Sequence, residues 1–356
     1  MKRLAVPSWL VAVVSAAATV GVVFGLQAAR SLLVPLLLAL FLAILASTPV
    51  RWLRSVHVPE WIAVALVVLG IFGVVLLVAG LVGTSIAELT RRIPQYQDRL
   101  RSDFASVEQR LTEAGMSSGE ILDMVDPSAA LGLAGNVLTG VTGVFGGGFL
   151  IFFALVFMLL EASRFPDKLY YAFRGSEETL AHFGRLSWVL NRYLGLKTLT
   201  SALTGVAIFL FLSIIGLDFA LLWATVAFLF NYIPNIGSVI ASVPAVLIAY
   251  LQLGPATAIG VAVGYLAVNV SVGNLLEPRV MGEGMGLSTL VVFLSLLFWG
   301  FVFGPVGMLL SVPLTMSVKL ALESADATRD WATLLAAKAP SSTGASGTRG
   351  DGPTPP

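Results

Sequence analysis

The 356-residue chain has no cysteine, and its two histidines, His57 and His182, lie in separate polar segments. Disulfides and thiolate metal sites are therefore excluded, and a histidine metal cluster lacks ligands. Charge is scarce as well. Only 12% of residues are Asp, Glu, Lys or Arg, about half the share in a globular domain. The 21 basic residues nearly cancel the 20 acidic ones, leaving a net charge of +1, so there is no electrostatic case for nucleic acid as a partner. No residue pattern calls for a cofactor.

What the chain has in excess is apolar sequence: 57% hydrophobic residues and a mean hydropathy of +0.91. Apolar runs of roughly twenty residues recur, and a soluble fold cannot bury one after another. Runs such as Leu32 to Leu45 are apolar on every face, which rules out the alternation of a transmembrane β-barrel. The expected fold is an all-α polytopic membrane protein, because in lipid the backbone must satisfy its own hydrogen bonds. About seven to eight membrane segments are expected, including two Pro/Gly-broken helical hairpins, with amphipathic interfacial helices beside them. Lys2 and Arg3 before an apolar run, with "SAAA" beyond, imitate a signal peptide. A second apolar run follows almost at once, and a first membrane helix is the better reading.

Five regions follow from the alternation of apolar and polar text. Residues 1–84 hold membrane helices one to three. Residues 85–140 form a polar insert whose apolar positions Ile86, Leu89, Ile93, Tyr96, Leu100, Phe104, Val107 and Leu111 recur at spacings of three and four. That is an amphipathic helix, with Pro94 expected to kink it or to start its second part. It lies on the membrane surface or its own subunit, or it forms a contact between subunits. Residues 141–197 hold a fourth membrane helix and a charged amphipathic segment, 198–325 the most apolar part of the chain, and 326–356 a tail that ends in Ser, Thr, Gly and Pro and reads as disordered. Lys2, Arg3, Arg51, Arg54, the basic residues of 161–197, Lys319 and Arg329 fall on one side of the membrane if the segments alternate. That side is the cytoplasm, which places both termini there and the insert outside.

Two stretches of the apolar half resemble each other. "LLWATVAFLFNYIPNIGSVIASVPAVLIAYL" runs from Leu221 to Leu251, and "STLVVFLSLLFWGFVFGPVGMLLSVPLTMSVKL" from Ser288 to Leu320. Each has an apolar arm, a Pro/Gly break (Pro234 and Gly237; Gly304, Pro305 and Gly307) and a second arm carrying Ser-Val-Pro. Arms of about 14 to 17 residues are short for a bilayer. They suggest re-entrant hairpins, whose irregular tips line a transporter's central site; ordinary helices joined by tight turns are the plain alternative. The first tip carries Asn231, Tyr232, Asn235 and Ser238, side chains suited to a neutral polar solute, whereas the second offers backbone groups.

Between the two units lies "NLLEPRVMGEG", Asn274 to Gly284. Pro278 breaks any helix between Glu277 and Arg279. The acid and base then meet each other or the hairpin tips, as an ion pair or titrating carboxylate beside the solute path; the alternative is a plain cytoplasmic loop. Asn269 and Asn274 lie just upstream, and Gly282 and Glu283 follow. Asp218, after Gly216, reads as a helix cap or a residue facing water.

The blocks "NYIPNIGSVIASVPAVLIA", "NLLEPRVMG" and "STLVVFLSLLFWGFVFGPVGMLLSVPL" resemble the signature blocks of the autoinducer-2 exporter family (AI-2E, PerM-like permeases). The resemblance is strongest over 192–319. It implies a bacterial inner-membrane secondary transporter, assembled as a homo-oligomer, with a pentamer as one candidate. Members resemble exporters of the quorum-sensing signal autoinducer-2 or are linked to Na+(Li+)/H+ antiport. The matching positions are Pro234, Asn235 and Gly237, then Asn274, Glu277, Pro278 and Gly282, then Gly304, Pro305 and Gly307. Tyr232 stands where the family motif commonly has Phe, and its hydroxyl is expected to add one hydrogen bond.

The expected function is export of a small polar, mostly uncharged solute by alternating access. Asn231, Asn235 and Ser238 would contact the solute, the glycines would let the tips move, and Glu277 with Arg279 would couple or gate, with H+ or Na+ as coupling ions. A Na+(Li+)/H+ antiporter is the alternative. A passive channel is a further class, and an intramembrane enzyme lacks an Asp pair, a Ser with a general base, or a His metal site in the apolar half.

Overall fold

The computed structural model describes residues 7–113, 135, 148–162, 165–172, 177–234, 236–277, 279, 287–324, 328 and 333–335. Twelve α-helices and one π-helical segment run through them, and the described residues contain no strand. The N-terminal group is α1 (Ser8–Ala28), α2 (Arg30–Ser55) and α3 (Glu60–Glu113). Then come α4 (Gly148–Ala162), α5 (Phe165–Ala172) and α6 (Glu177–Ile215). The apolar half holds α7 (Ala220–Phe230), α8 (Gly237–Leu253), α9 (Pro255–Asn269) and the π-helical stretch Val270–Leu276. It ends with α10 (Thr289–Phe303), α11 (Pro305–Leu309) and α12 (Ser311–Glu323). Four stretches, Arg30–Ser55, Glu60–Tyr96, Phe183–Ile215 and Pro255–Leu276, are long and apolar enough to cross a bilayer. The protein is an all-α, multi-pass membrane protein.

Three clusters hold the described helices together, and two of them are built on small residues that let helices approach closely. In the first, Ala39, Ala43, Ala46 and Val50 of α2 form a stripe that packs with Ala63, Val64 and Val68 of α3 and Ile151, Leu155 and Leu159 of α4. In the second, Ala241, Ala245 and Ala249 of α8 repeat every fourth residue in a core with Trp223 and Val226 of α7, Ile208 and Leu212 of α6, and Val261 and Tyr265 of α9. The third joins Tyr193 and Leu194 of α6 to Val312 and Met316 of α12. Faces turned away from these clusters carry exposed Leu76, Phe157 and Ile214, as a lipid-facing surface requires.

Helix α3 departs from expectation. The 84/85 boundary falls inside one continuous 54-residue helix that includes Pro94, so the proline does not start a separate helix. Packing on both sides of the proline explains why no break appears: Val82 and Leu89 before it and Tyr96 after it are all buried in the core of the first hairpin. The stripe therefore rests on its own subunit over this length, while Leu100, Phe104, Val107 and Leu111 carry side chains outside the described set. The charged segment before the apolar half likewise continues without a break into the membrane helix as α6.

Both predicted interruptions are present. The first arm, α7, has 11 residues, about 16 Å at the helical rise, well short of the roughly 30 Å of bilayer hydrocarbon. At the first break a Cβ on Gly237 would come within 1.8 Å of the Phe230 carbonyl oxygen, and at the second a Cβ on Gly307 within 1.9 Å of that of Trp299. The two units thus share one device: the second arm folds back so closely that a glycine must face a carbonyl near the end of the first. Gly304 also needs its freedom, with φ at 68°.

The opposite ends of α7 and α8 are clamped by α3. Arg92 Nη1 donates to Asp218 Oδ2 at 2.6 Å and Nη2 to Glu88 Oε1 at 2.5 Å, and the guanidinium lies 5.6 Å from the Phe219 ring centre. Arg99 Nη1 donates to the Leu251 carbonyl at 2.5 Å. Gln252 ties the two turns together, accepting from the Asp218 amide at 2.8 Å and donating to the Gly216 carbonyl at 3.2 Å. Asp218 therefore acts as an anchor for α3.

Candidate functional site

Helix α6 carries a polar stripe in an otherwise apolar span: Tyr193, Lys197 and Ser201 at four-residue spacing, with Thr198, Thr200 and Thr204 beside them. Residues four apart share a face, and Tyr193, Lys197, Thr200, Ser201 and Thr204 are all buried. Thr200 and Thr204 spend their hydroxyls within the helix, donating to the carbonyls of Lys197 at 3.1 Å and Thr200 at 3.0 Å. Thr198 likewise donates to the Leu194 carbonyl at 2.7 Å, but its oxygen, the Ser201 hydroxyl and the Lys197 ammonium also hold other elements.

The first hairpin tip docks on this stripe. Asn231 Nδ2 donates to Ser201 Oγ at 3.0 Å, and the Tyr232 hydroxyl donates to Thr198 Oγ1 at 2.7 Å. The Tyr232 ring is buried edge-on against Phe41 of α2 and Phe228 of α7, each 5.7 Å away between centres. The hydroxyl that distinguishes this Tyr from Phe thus holds the tip to α6. Pro234 and Ser238 are half-buried at the tip and Gly237 is buried. Asn235 lies outside the described residues.

The connection after α9 reaches the same stripe from another side. Val270–Leu276 is wound with i→i+5 bonds, a geometry that recurs at functional sites, and it leads directly into Glu277. Lys197 Nζ donates to both carboxylate oxygens of Glu277, at 2.8 and 3.0 Å. The lysine side chain is 6% exposed and the glutamate 19%. A lysine in an apolar span is costly unless paired, and Glu277 supplies the pairing.

The sequence offers Arg279 as the nearest partner of Glu277. The structure instead leaves Arg279 exposed and gives the carboxylate to Lys197, which in the sequence closes a charged segment read as cytoplasmic. Asn269 is half-buried at the end of α9 and Asn274 exposed. Pro278, Gly282 and Glu283 lie outside the described residues. The second tip forms a separate locus. Gln27 of α1 donates to the Phe301 carbonyl at 3.0 Å, and Trp299 Nε1 donates across to Thr315 Oγ1 at 2.9 Å. Pro305 opens α11 after Gly304, and Gly307 is buried against α10. Through Val312 and Met316, α12 connects this locus to Tyr193 and Leu194 beside the ion pair.

Lys197, Thr198 and Ser201 are therefore the site residues that sequence reasoning missed. Their signal is the four-residue spacing of Tyr193, Lys197 and Ser201, which continues unbroken from the charged segment into the apolar run. Among the described residues no cluster of His, Cys, Asp or Glu could hold a metal ion. The assembled site has one buried ammonium, one carboxylate, three hydroxyls and one amide. It offers hydrogen-bond donors and acceptors together with one paired charge of each sign.

Residues 10–326 match the family model described as AI-2E family transporter. A putative transport protein of Haemophilus influenzae is 41% identical over 327 residues, covering 90% of this chain and 94% of that protein. The AI-2 transport protein TqsA of Escherichia coli is 39% identical over 313 residues, covering 87% of this chain and 91% of TqsA. A putative transport protein of Mycobacterium tuberculosis is 30% identical over 311 residues, covering 83% and 84%.

Proposed function

The chain belongs to the AI-2E transporter family and is a transport protein rather than an enzyme, and from that premise we propose that it exports a small polar solute of the autoinducer-2 kind by alternating access. The observation that carries this reading is the docking of a polar, proline-broken tip on a polar stripe of α6 beside a buried ion pair. Asn231, Tyr232, Ser238 and, from the sequence, Asn235 present the solute-contacting groups. Gly237, Gly304 and Gly307 shape the two tips as re-entrant elements, and Glu277 gates. The protein works in the bacterial inner membrane as a homo-oligomer, with both termini cytoplasmic and the α3 extension outside.

The test is efflux of autoinducer-2 from cells or inverted vesicles carrying the protein. Asn231→Ala, Asn235→Ala and Glu277→Gln are each expected to lower efflux while membrane insertion stays intact, and wild-type efflux in all three would remove the site. A second reading, Na+(Li+)/H+ antiport, is favoured by the half-buried Glu277 carboxylate. Its mark would be a proton flux on addition of Na+ or Li+ to proteoliposomes with a pH-sensitive dye and no solute present.

A further inference from the structure

A lysine ammonium held at 6% exposure in an apolar helix needs an anion against it. Glu277 is that anion, and it is the more exposed of the two, at 19%. Neither group can leave the pair alone. A proton on Glu277 would strand the ammonium, and loss of a proton from Lys197 would strand the carboxylate. An incoming anion removes the difficulty, because it can replace the carboxylate on Lys197 while the displaced carboxylate, the more exposed of the two groups, takes up a proton.

The surroundings say what else such an anion would carry. Thr198 is the next residue along α6 and Ser201 one turn further, and they bond Tyr232 and Asn231 of the tip. In both pairs the α6 oxygen accepts, and Thr198 already donates to the Leu194 carbonyl, so solute hydroxyls acting as donors can take the places of Tyr232 and Asn231. Among the described residues, the elements beside the pair add no competing charge. Against Tyr193 and Leu194, about one turn before Lys197, pack Phe41, Ile44 and Leu45 of α2 and Val312 and Met316 of α12. Tyr193 and Tyr232 are phenols, Arg279 is exposed, and Lys319 of α12 pairs with Glu323 at 3.5 Å.

We propose that Lys197 binds the anionic group of a small hydroxylated monoanion, and that each such solute is accepted together with one proton, which goes to Glu277. This names the solute class of the transport site and rests on the transporter reading. The balance closes. The site begins as ammonium and carboxylate and ends as ammonium, bound solute anion and neutral carboxyl. One anion and one proton have arrived, and the net charge of the site is zero before and after.

Proteoliposomes with a trapped pH dye test this with two labelled probes, glycerate as the hydroxylated monoanion and erythritol as its uncharged counterpart. Wild-type protein should move glycerate at least about tenfold faster than erythritol, with about one proton per glycerate. In Glu277→Gln, glycerate should still move but without protons. Lys197→Met paired with Glu277→Gln, which leaves no charge unpaired, should lose the preference for glycerate. Proton-free glycerate transport by the wild type, or an unchanged preference in the double variant, overturns the proposal. Wild-type protein that exports autoinducer-2 but moves neither probe overturns the anion assignment and leaves the transporter reading intact. Protein that moves none of the three overturns both.

Discussion

Lys197 and Glu277 are 80 residues apart in sequence, and each is explained only by the other. Lys197 closes a charged stretch, where a basic residue reads as cytoplasmic, and Glu277 has a nearer base two positions on. No local pattern links them; the link is a property of how α6 and the connection after α9 are brought together. The pairing makes a stability prediction. Lys197→Met alone strands Glu277 and should cost about 3–5 kcal/mol, whereas adding Glu277→Gln should restore most of it. Thermal melts of the detergent-solubilised single and double variants measure this, and equal losses in both would show that the two charges do not interact. Tyr232 shows what is legible at this scale: the sequence predicts one added hydrogen bond from its hydroxyl, and that bond is made with Thr198.

At the scale of elements, both Pro/Gly interruptions can be read from the chain because proline and glycine act locally on the backbone. The close approach of the arms cannot, since it depends on which carbonyl faces which glycine. Gly237→Ala and Gly307→Ala each push a methyl group into a backbone oxygen and should lower the melting temperature, each by about 1–3 kcal/mol of stability or more. Gly260, where a Cβ would have nothing within 4 Å, should accept alanine without loss. Helix α3 defeats the local reading for the opposite reason. Pro94 argues for a break, but the helix continues across it with Leu89 and Tyr96 buried on either side, and tertiary packing overrides local preference.

Over the whole molecule, the polar contacts concentrate at two levels of α6. One is the clamp of Arg92, Arg99, Asp218 and Gln252 near its C-terminal end, and the other is the site at Lys197, about 27 Å along the helix from Ile215. The apolar core of α7, α8 and α9 fills the space between. Because Gln252 bridges the two clamped turns, Arg92→Ala should loosen both together. Faster deuterium uptake is expected over 216–219 and 251–254, with 231–234 unchanged; uptake confined to the first turn would mean that the clamp is not one unit. The overall class is legible because composition and run length alone decide it. The site is only half legible, because its tip is written in one short block while its floor is spread along a helix that reads as apolar. The seven-residue stretch Val270–Leu276 is wound more widely than an α-helix. A single residue taken out of that winding would turn Glu277 by about 100° around the axis relative to α9, so the length of this stretch sets the direction from which the carboxylate meets Lys197.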